Sequence, residues 1–117
     1  MPSDRTGLAL LAILENGRLA QSFIEGLTQA AFEADLRTFY AVTRCLEIVS
    51  EASHRLPQDL RDRHPSLPWR KLMGVGNIYR HDYDNVAEAI VWRTARTSLQ
   101  PLISVIDQEI EQARSQP

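Results

Sequence analysis

The chain has 117 residues, 44% of them apolar, and a formal net charge of -2 at pH 7. The length suits one domain over residues 1–117, the apolar content excludes a disordered segment, and the charge argues against a broadly basic nucleic-acid binder while leaving room for a local basic cleft. Cys45 is the single cysteine, which excludes an intrachain disulfide and a cysteine cluster for zinc; its place in an apolar repeat makes it core filler.

The first helix is predicted from about Asp4 to Gln21 or slightly beyond, capped by Ser3 or Asp4. Leu8, Leu11, Glu15, Leu19 and Ser22 define one face, while Leu10, Ile13, Leu14 and Ile24 widen the apolar surface, so burial on more than one side is expected. Gly17 and Gly26 weaken its outer turns, and Gly26 can end it. The second helix starts near Thr28 or Glu33 and is the clearest. Leu36, Phe39, Val42, Thr43, Leu46, Val49, Ser53 and Leu56 recur at spacings of three or four, and Tyr40, Cys45 and Ile48 enlarge that face. Pro57 ends the pattern, because it lacks an amide donor and restricts Leu56 before it.

Gln58 to Arg63 is polar and can form a short turn of helix. His64-Pro65-Ser66-Leu67-Pro68-Trp69 is a rigid connection that inserts Trp69 into the core, with Pro68 placed early in the next helix, where its missing donor costs little. A third, short helix is predicted from near Trp69 to about Arg80 or Tyr83. A fourth begins near Asp84 or Asn85, either of which can cap it. Val86, Ile90, Thr94, Thr97, Pro101, Val105 and Gln108 trace one side of it; Ala89, Trp92, Leu99, Leu102, Ile106 and Ile110 supply the apolar remainder. Pro101 removes one backbone bond and is expected to kink or divide this helix. With no strand pattern, the fold class is all-α: a bundle of four main helices with a short extra helical segment and a proline-kinked last helix. No apolar run reaches membrane-spanning length and the N-terminus carries no signal-peptide pattern, so a cytoplasmic protein without membrane association is expected.

The densest chemistry lies in Asn77-Ile78-Tyr79-Arg80-His81-Asp82-Tyr83-Asp84. His81 titrates near neutral pH and suits proton transfer. Arg80 offers a planar fork of donors to a phosphate. Asn77 can orient a ribose or phosphate oxygen, and Tyr79 and Tyr83 supply hydroxyls and stacking surfaces. Asp82 or Asp84 can orient His81 or cap the fourth helix. If Arg70 to Tyr83 is helical, then Arg70, Gly74, Asn77 and His81 share one stripe. The same residues also suit a polar helix end, with the tyrosines as core aromatics and Arg80 as a solvated flank. Glu51 can enter a cleft and pair with Arg80 or His81, or form a structural salt bridge. His54, His64 and His81 are too sparse for a metal site, so neither metal nor cofactor is expected. Arg93 and Arg96 lie about one turn apart, with Arg61, Arg63, Arg70 and Lys71 elsewhere; they can line an interface, contact RNA phosphates or form a solvated face.

Taken in order, Phe32, Ser50-Glu51-Ala52, His64-Pro65-Ser66-Leu67-Pro68-Trp69, Gly74-Val75-Gly76-Asn77-Ile78-Tyr79-Arg80-His81-Asp82-Tyr83, Trp92 and Pro101-Leu102 resemble the HepT-like family of small HEPN-domain proteins over most of the chain. The resemblance implies an antiparallel HEPN-like helical bundle that dimerises. It also implies a metal-independent ribonuclease toxin acting on RNA, partnered by a minimal nucleotidyltransferase antitoxin. The family motif sets an Arg, four intervening residues, a His, one residue and a Tyr at the dimer cleft. His81 matches its His, Tyr83 matches the Tyr to which such a partner transfers AMP, and Asn77 matches the polar residue after its Arg. The Arg does not match: that position is Gly76. Arg80 is the nearby cation, displaced by about 6 Å of helical rise, and Arg70 or an Arg of a second subunit is another substitute. Three readings follow: a ribonuclease with Arg80 and His81 as catalytic residues and Asn77, Tyr79 and Glu51 as cleft contacts; a catalytically impaired regulatory or binding subunit for the nucleotidyltransferase; or a structural helical dimer whose polar cluster completes the interface.

Overall fold

The computed structural model of the chain describes residues 4–75 and 86–115. Helix α1 spans Asp4–Ile24, α2 Gln29–Ala34, α3 Leu36–His54, α4 Gln58–Asp62, α5 Trp69–Gly74, α6 Val86–Arg93 and α7 Leu99–Ser115. A π-helical turn, Thr94–Ser98, joins α6 to α7. No strand occurs among the described residues, and the all-α bundle expected from periodicity is what the chain forms. α1 lies against α3 and α7, and α3 in turn carries α5 and α6.

Each boundary has a local cause. Gly26, at φ 78°, makes the left-handed turn that ends α1. Thr28 caps α2, its hydroxyl accepting from the Ala31 amide at 3.1 Å. The single second helix expected from the sequence is two helices, because Asp35 caps α3 inside the apolar repeat. Its carboxylate accepts from the Arg37 and Thr38 amides at 3.1 and 3.3 Å and from the Thr38 hydroxyl at 2.8 Å. A side chain that bonds forward to the backbone competes with helix continuation and starts a new one. α3 ends at His54, and the short polar turn after Pro57 is α4.

Phe32 is the hinge of this split. It is fully buried, with its ring 6.1 Å from Phe39 on α3 and 5.4 Å from Trp92 on α6. The core continues through Ile13, Val42, Leu46, Val49, Val91, Leu99, Leu102 and Ile106. Cys45 is buried among them, as expected, and burial pushes its thiol up from the ordinary range. Gly17 does more than weaken α1: a Cβ there would stand 3.1 Å from Cγ1 of Ile103, so its bareness lets α1 and α7 approach.

Two expected faces are corrected. The buried side of α1 is Thr6, Ala9, Leu10, Ile13, Gly17, Ala20 and Ile24, whereas Leu8, Leu11, Leu19 and Phe23 stay exposed. The helix has one covered side, because α3 and α7 both reach it from there. Leu36 and Tyr40 are also exposed; Leu36 lies at the start of α3 and Tyr40 is one residue round from buried Phe39. On the last helices the covered residues are Ala87, Val91, Ala95, Leu99, Leu102, Ile103 and Ile106. The π turn explains the offset from the expected stripe: the Leu99 amide bonds back to the Thr94 carbonyl, and the extra residue shifts the register. It also settles the expected break at Pro101, which stands in the first turn of α7, where a missing donor is tolerated.

The α4–α5 connection is fastened to α7. The Glu109 carboxylate accepts from Arg63 at 2.9 Å and from His64 Nε2 at 2.6 Å. Trp69, half-buried against the core, donates its indole N–H to the His64 carbonyl at 3.0 Å. Burial raises the cost of charging Glu109, but the hydrogen bonds and positive charge of Arg63 and His64 outweigh it and hold the carboxyl below the usual range.

Candidate functional site

Asn77, Tyr79, Arg80, His81 and Tyr83 lie outside the described residues, as do Gly76, Asp82, Asp84 and Asn85. The third helix was expected to reach Arg80 or Tyr83. Its α-helical part stops at Gly74, where Gly74 and β-branched Val75 in succession lower helix propensity; the rest of that span is outside the described residues. What is described is the frame on either side, ending at Val75 and resuming at Val86.

The incoming side is anchored on α3. The Ser50 hydroxyl donates to the Met73 carbonyl in the last turn of α5. His54 Nε2 lies 3.1 Å from the same oxygen, and since a carbonyl accepts only, that nitrogen carries the proton. Arg61 reaches the Met73 sulfur from α4. Ser50 and His54, one turn apart on α3, thus tie down an otherwise orphan carbonyl immediately before the His81 segment. Glu51, between them in sequence, is exposed and meets Arg55 at 3.6 Å. The sequence signal for this anchor is the i, i+4 spacing of Ser50 and His54.

On the outgoing side, α6 and the π turn face α5 across a cleft of about 490 Å³. Arg70 and Lys71 line it from α5 and Arg93 from α6, over an apolar floor of Leu72, Val75 and Ile90. Thr94 and Ser98 of the π turn complete the wall. The Thr94 hydroxyl donates to the Ile90 carbonyl at 2.8 Å. Gly74 and Val75, the last described residues before the His81 segment, line one flank of this cleft, and Ile90 and Arg93 of α6 line the other. Glu88, in the first turn of α6, is buried, and its Oε2 has no hydrogen-bond partner among the described residues. Among the described residues no group of three His, Cys, Asp or Glu side chains is placed to hold a metal ion, and no helix is long and apolar enough to cross a membrane.

This all-α frame, with its Ser-Glu-Ala turn of α3 packed on the helix that leads into an Arg-His-x-Tyr segment, defines a class of small helical proteins. Residues 13–109 match the HepT-like family model, described as "Ribonuclease HepT-like", and the chain belongs to that family. It is 32% identical over 90 residues to "Probable ribonuclease HepT" of Thermococcus cleftensis, covering 77% of this chain and 82% of that protein. It is also 32% identical over 96 residues to "Putative RNase MJ1216" of Methanocaldococcus jannaschii, covering 82% and 79%. No solved structure matches the chain.

Proposed function

We propose that the chain is a metal-independent endoribonuclease and the toxin component of a toxin–antitoxin pair. The observation that carries this reading is the family match over residues 13–109, a span that contains His81 and Tyr83, the residues set against the motif's His and Tyr, with Arg80 as the nearby cation. In this reading His81 takes the proton from a ribose 2'-hydroxyl or returns one to the leaving 5'-oxygen. The 2'-oxygen attacks the adjacent phosphorus, the bond to the 5'-oxygen breaks, and a 2',3'-cyclic phosphate and a 5'-hydroxyl result. Arg80 balances the charge that grows on the phosphoryl oxygens. The nucleophile belongs to the RNA, so no Ser, Cys, metal or cofactor is called for. Asn77, Tyr79 and Glu51 are assigned to substrate or cleft contacts, and Tyr83 to the acceptor of AMP from a minimal nucleotidyltransferase antitoxin.

A homodimer is part of the proposal. Leu8, Leu11, Leu19 and Phe23, exposed along one face of α1, are the kind of surface a second copy covers, and two chains would bring two His81 side chains to one cleft for the two proton transfers. The test is direct. His81→Ala, folded by its melting curve, should lose at least about 100-fold in RNA cleavage; unchanged cutting removes His81 from the mechanism.

One observation favours a second reading. Gly76 occupies the family's Arg position and has no side chain to offer a phosphate. The chain would then be a catalytically impaired binding subunit for the nucleotidyltransferase. A stable complex on co-expression, together with no RNA cleavage by the isolated chain, is the outcome that selects it.

A further inference from the structure

The chain carries 13 Lys and Arg residues, and their pairing is uneven. Arg18, Arg44, Arg55, Arg63 and Arg114 each meet a carboxylate within the salt-bridge range. Arg70, Lys71 and Arg93 meet none among the described residues, yet all three line one cleft. Arg96, one turn beyond Arg93, is exposed and equally without a carboxylate there. No acidic side chain and no aromatic ring is among the described residues lining the cleft. Arg5, Arg37 and Arg61 also meet no carboxylate among the described residues, but none of them lines the cleft, where Arg70, Lys71 and Arg93 stand together.

We infer that the α5–α6 cleft is a backbone-binding subsite for a single strand of RNA, taking its phosphodiesters on Arg70, Lys71 and Arg93. Among the described residues these three cations meet no carboxylate, so no described ion pair has to be broken to bring a phosphate against them. A volume of about 490 Å³ lies in the usual range of ligand clefts, about 300–1,000 Å³. The described lining offers cations and hydroxyls that suit phosphate, so the subsite is assigned to the strand's backbone rather than to its sequence. Ser98 and Thr94, on the π turn, add hydroxyls beside the three cations, and π turns recur at functional positions. The inference rests on the ribonuclease reading for its ligand, and it supplies cationic charge that Gly76 withholds.

The experiment uses the full chain and a labelled uridine 12-mer in which every ribose is 2'-O-methylated. This strand cannot be cut through its 2'-oxygen, so binding is measured apart from catalysis. Wild type is compared with Arg70→Gln/Lys71→Gln/Arg93→Gln and with a control of equal charge change at exposed sites, Arg5→Gln/Arg37→Gln/Arg114→Gln. The cleft variant should bind at least about 10-fold more weakly at low salt, and the slope of log K against log salt should become shallower by about 2, from three lost contacts at about 0.7 each on a single strand. The control should stay close to wild type. If both triple variants weaken binding equally, or neither does, the cleft is not the subsite. If wild type cuts unmodified RNA while the cleft variant binds and cuts as well as it does, this inference fails and the ribonuclease reading stands. If binding follows the cleft but unmodified RNA is never cut, the subsite stands and the ribonuclease reading fails.

Discussion

Single residues of this chain are decided by what their neighbours donate. Glu109 is the clearest case, a buried carboxylate kept charged by Arg63 and His64. Its folded pKa lies below the unfolded one, so its contribution to stability is present above the ordinary glutamate range and is lost as pH falls through the lowered value. Urea unfolding across a pH series should show wild-type stability dropping steeply below about pH 4.3, with Glu109→Gln flatter in that window. At pH 7 the variant should be less stable by about 2 kcal/mol, short of the cost of breaking a fully buried pair because Arg63 is half exposed. Parallel curves for the two proteins would show that the latch does not operate. Ser50 and His54 follow the same logic without a charge change, since both are spent on the Met73 carbonyl that precedes the His81 segment.

At the scale of elements, helices meet closely only where their residues permit it. Gly17 lets α1 lie against Ile103 of α7, and Gly17→Val should cost about 1–3 kcal/mol from overpacking, read as a lower urea midpoint with an unchanged slope. A variant as stable as wild type would mean that the helices separate without penalty. The existence of the helices was legible in the sequence, because apolar spacing of three and four residues needs no tertiary information. Their division was not. Asp35 looks like one polar residue in an amphipathic run until its carboxylate is seen capping α3. The exposed Leu8, Leu11 and Leu19 read as core because periodicity tells which residues share a face, not which face has a neighbour. The π turn was hidden for a similar reason: Pro101 announces a lost bond, but where the register absorbs it depends on packing along the whole helix. For the candidate site, the ordered motif from Asn77 to Asp84 was visible at once, while the cleft was not. Arg70, Lys71 and Arg93 are scattered in sequence, and only the packing of α5 and α6 on α3 brings them to one cleft.

The whole molecule joins a fixed helical frame to a surface of uneven chemistry. α1, α3 and α7 form the frame, and α5, α6 and the π turn hold the basic cleft, whose lining includes Val75, the last described residue before the His81 segment. The proposed dimer makes a claim at this scale. Light scattering over a concentration series should give twice the monomer mass of 13.3 kDa, and Leu8→Glu/Leu19→Glu should shift the population to monomer without lowering helical content. A wild-type protein that stays monomeric throughout would remove both the dimer and the shared two-histidine cleft.

The central claim is that this member of the HepT-like family cuts RNA through the strand's own 2'-hydroxyl. The most direct measurement incubates the purified chain, in excess chelator, with an RNA strand and with the same strand made 2'-deoxy throughout, and identifies the product ends. The account predicts cleavage of the RNA alone, leaving 2',3'-cyclic phosphate and 5'-hydroxyl ends. Equal cutting of the deoxy strand, or an intact RNA strand, would contradict it.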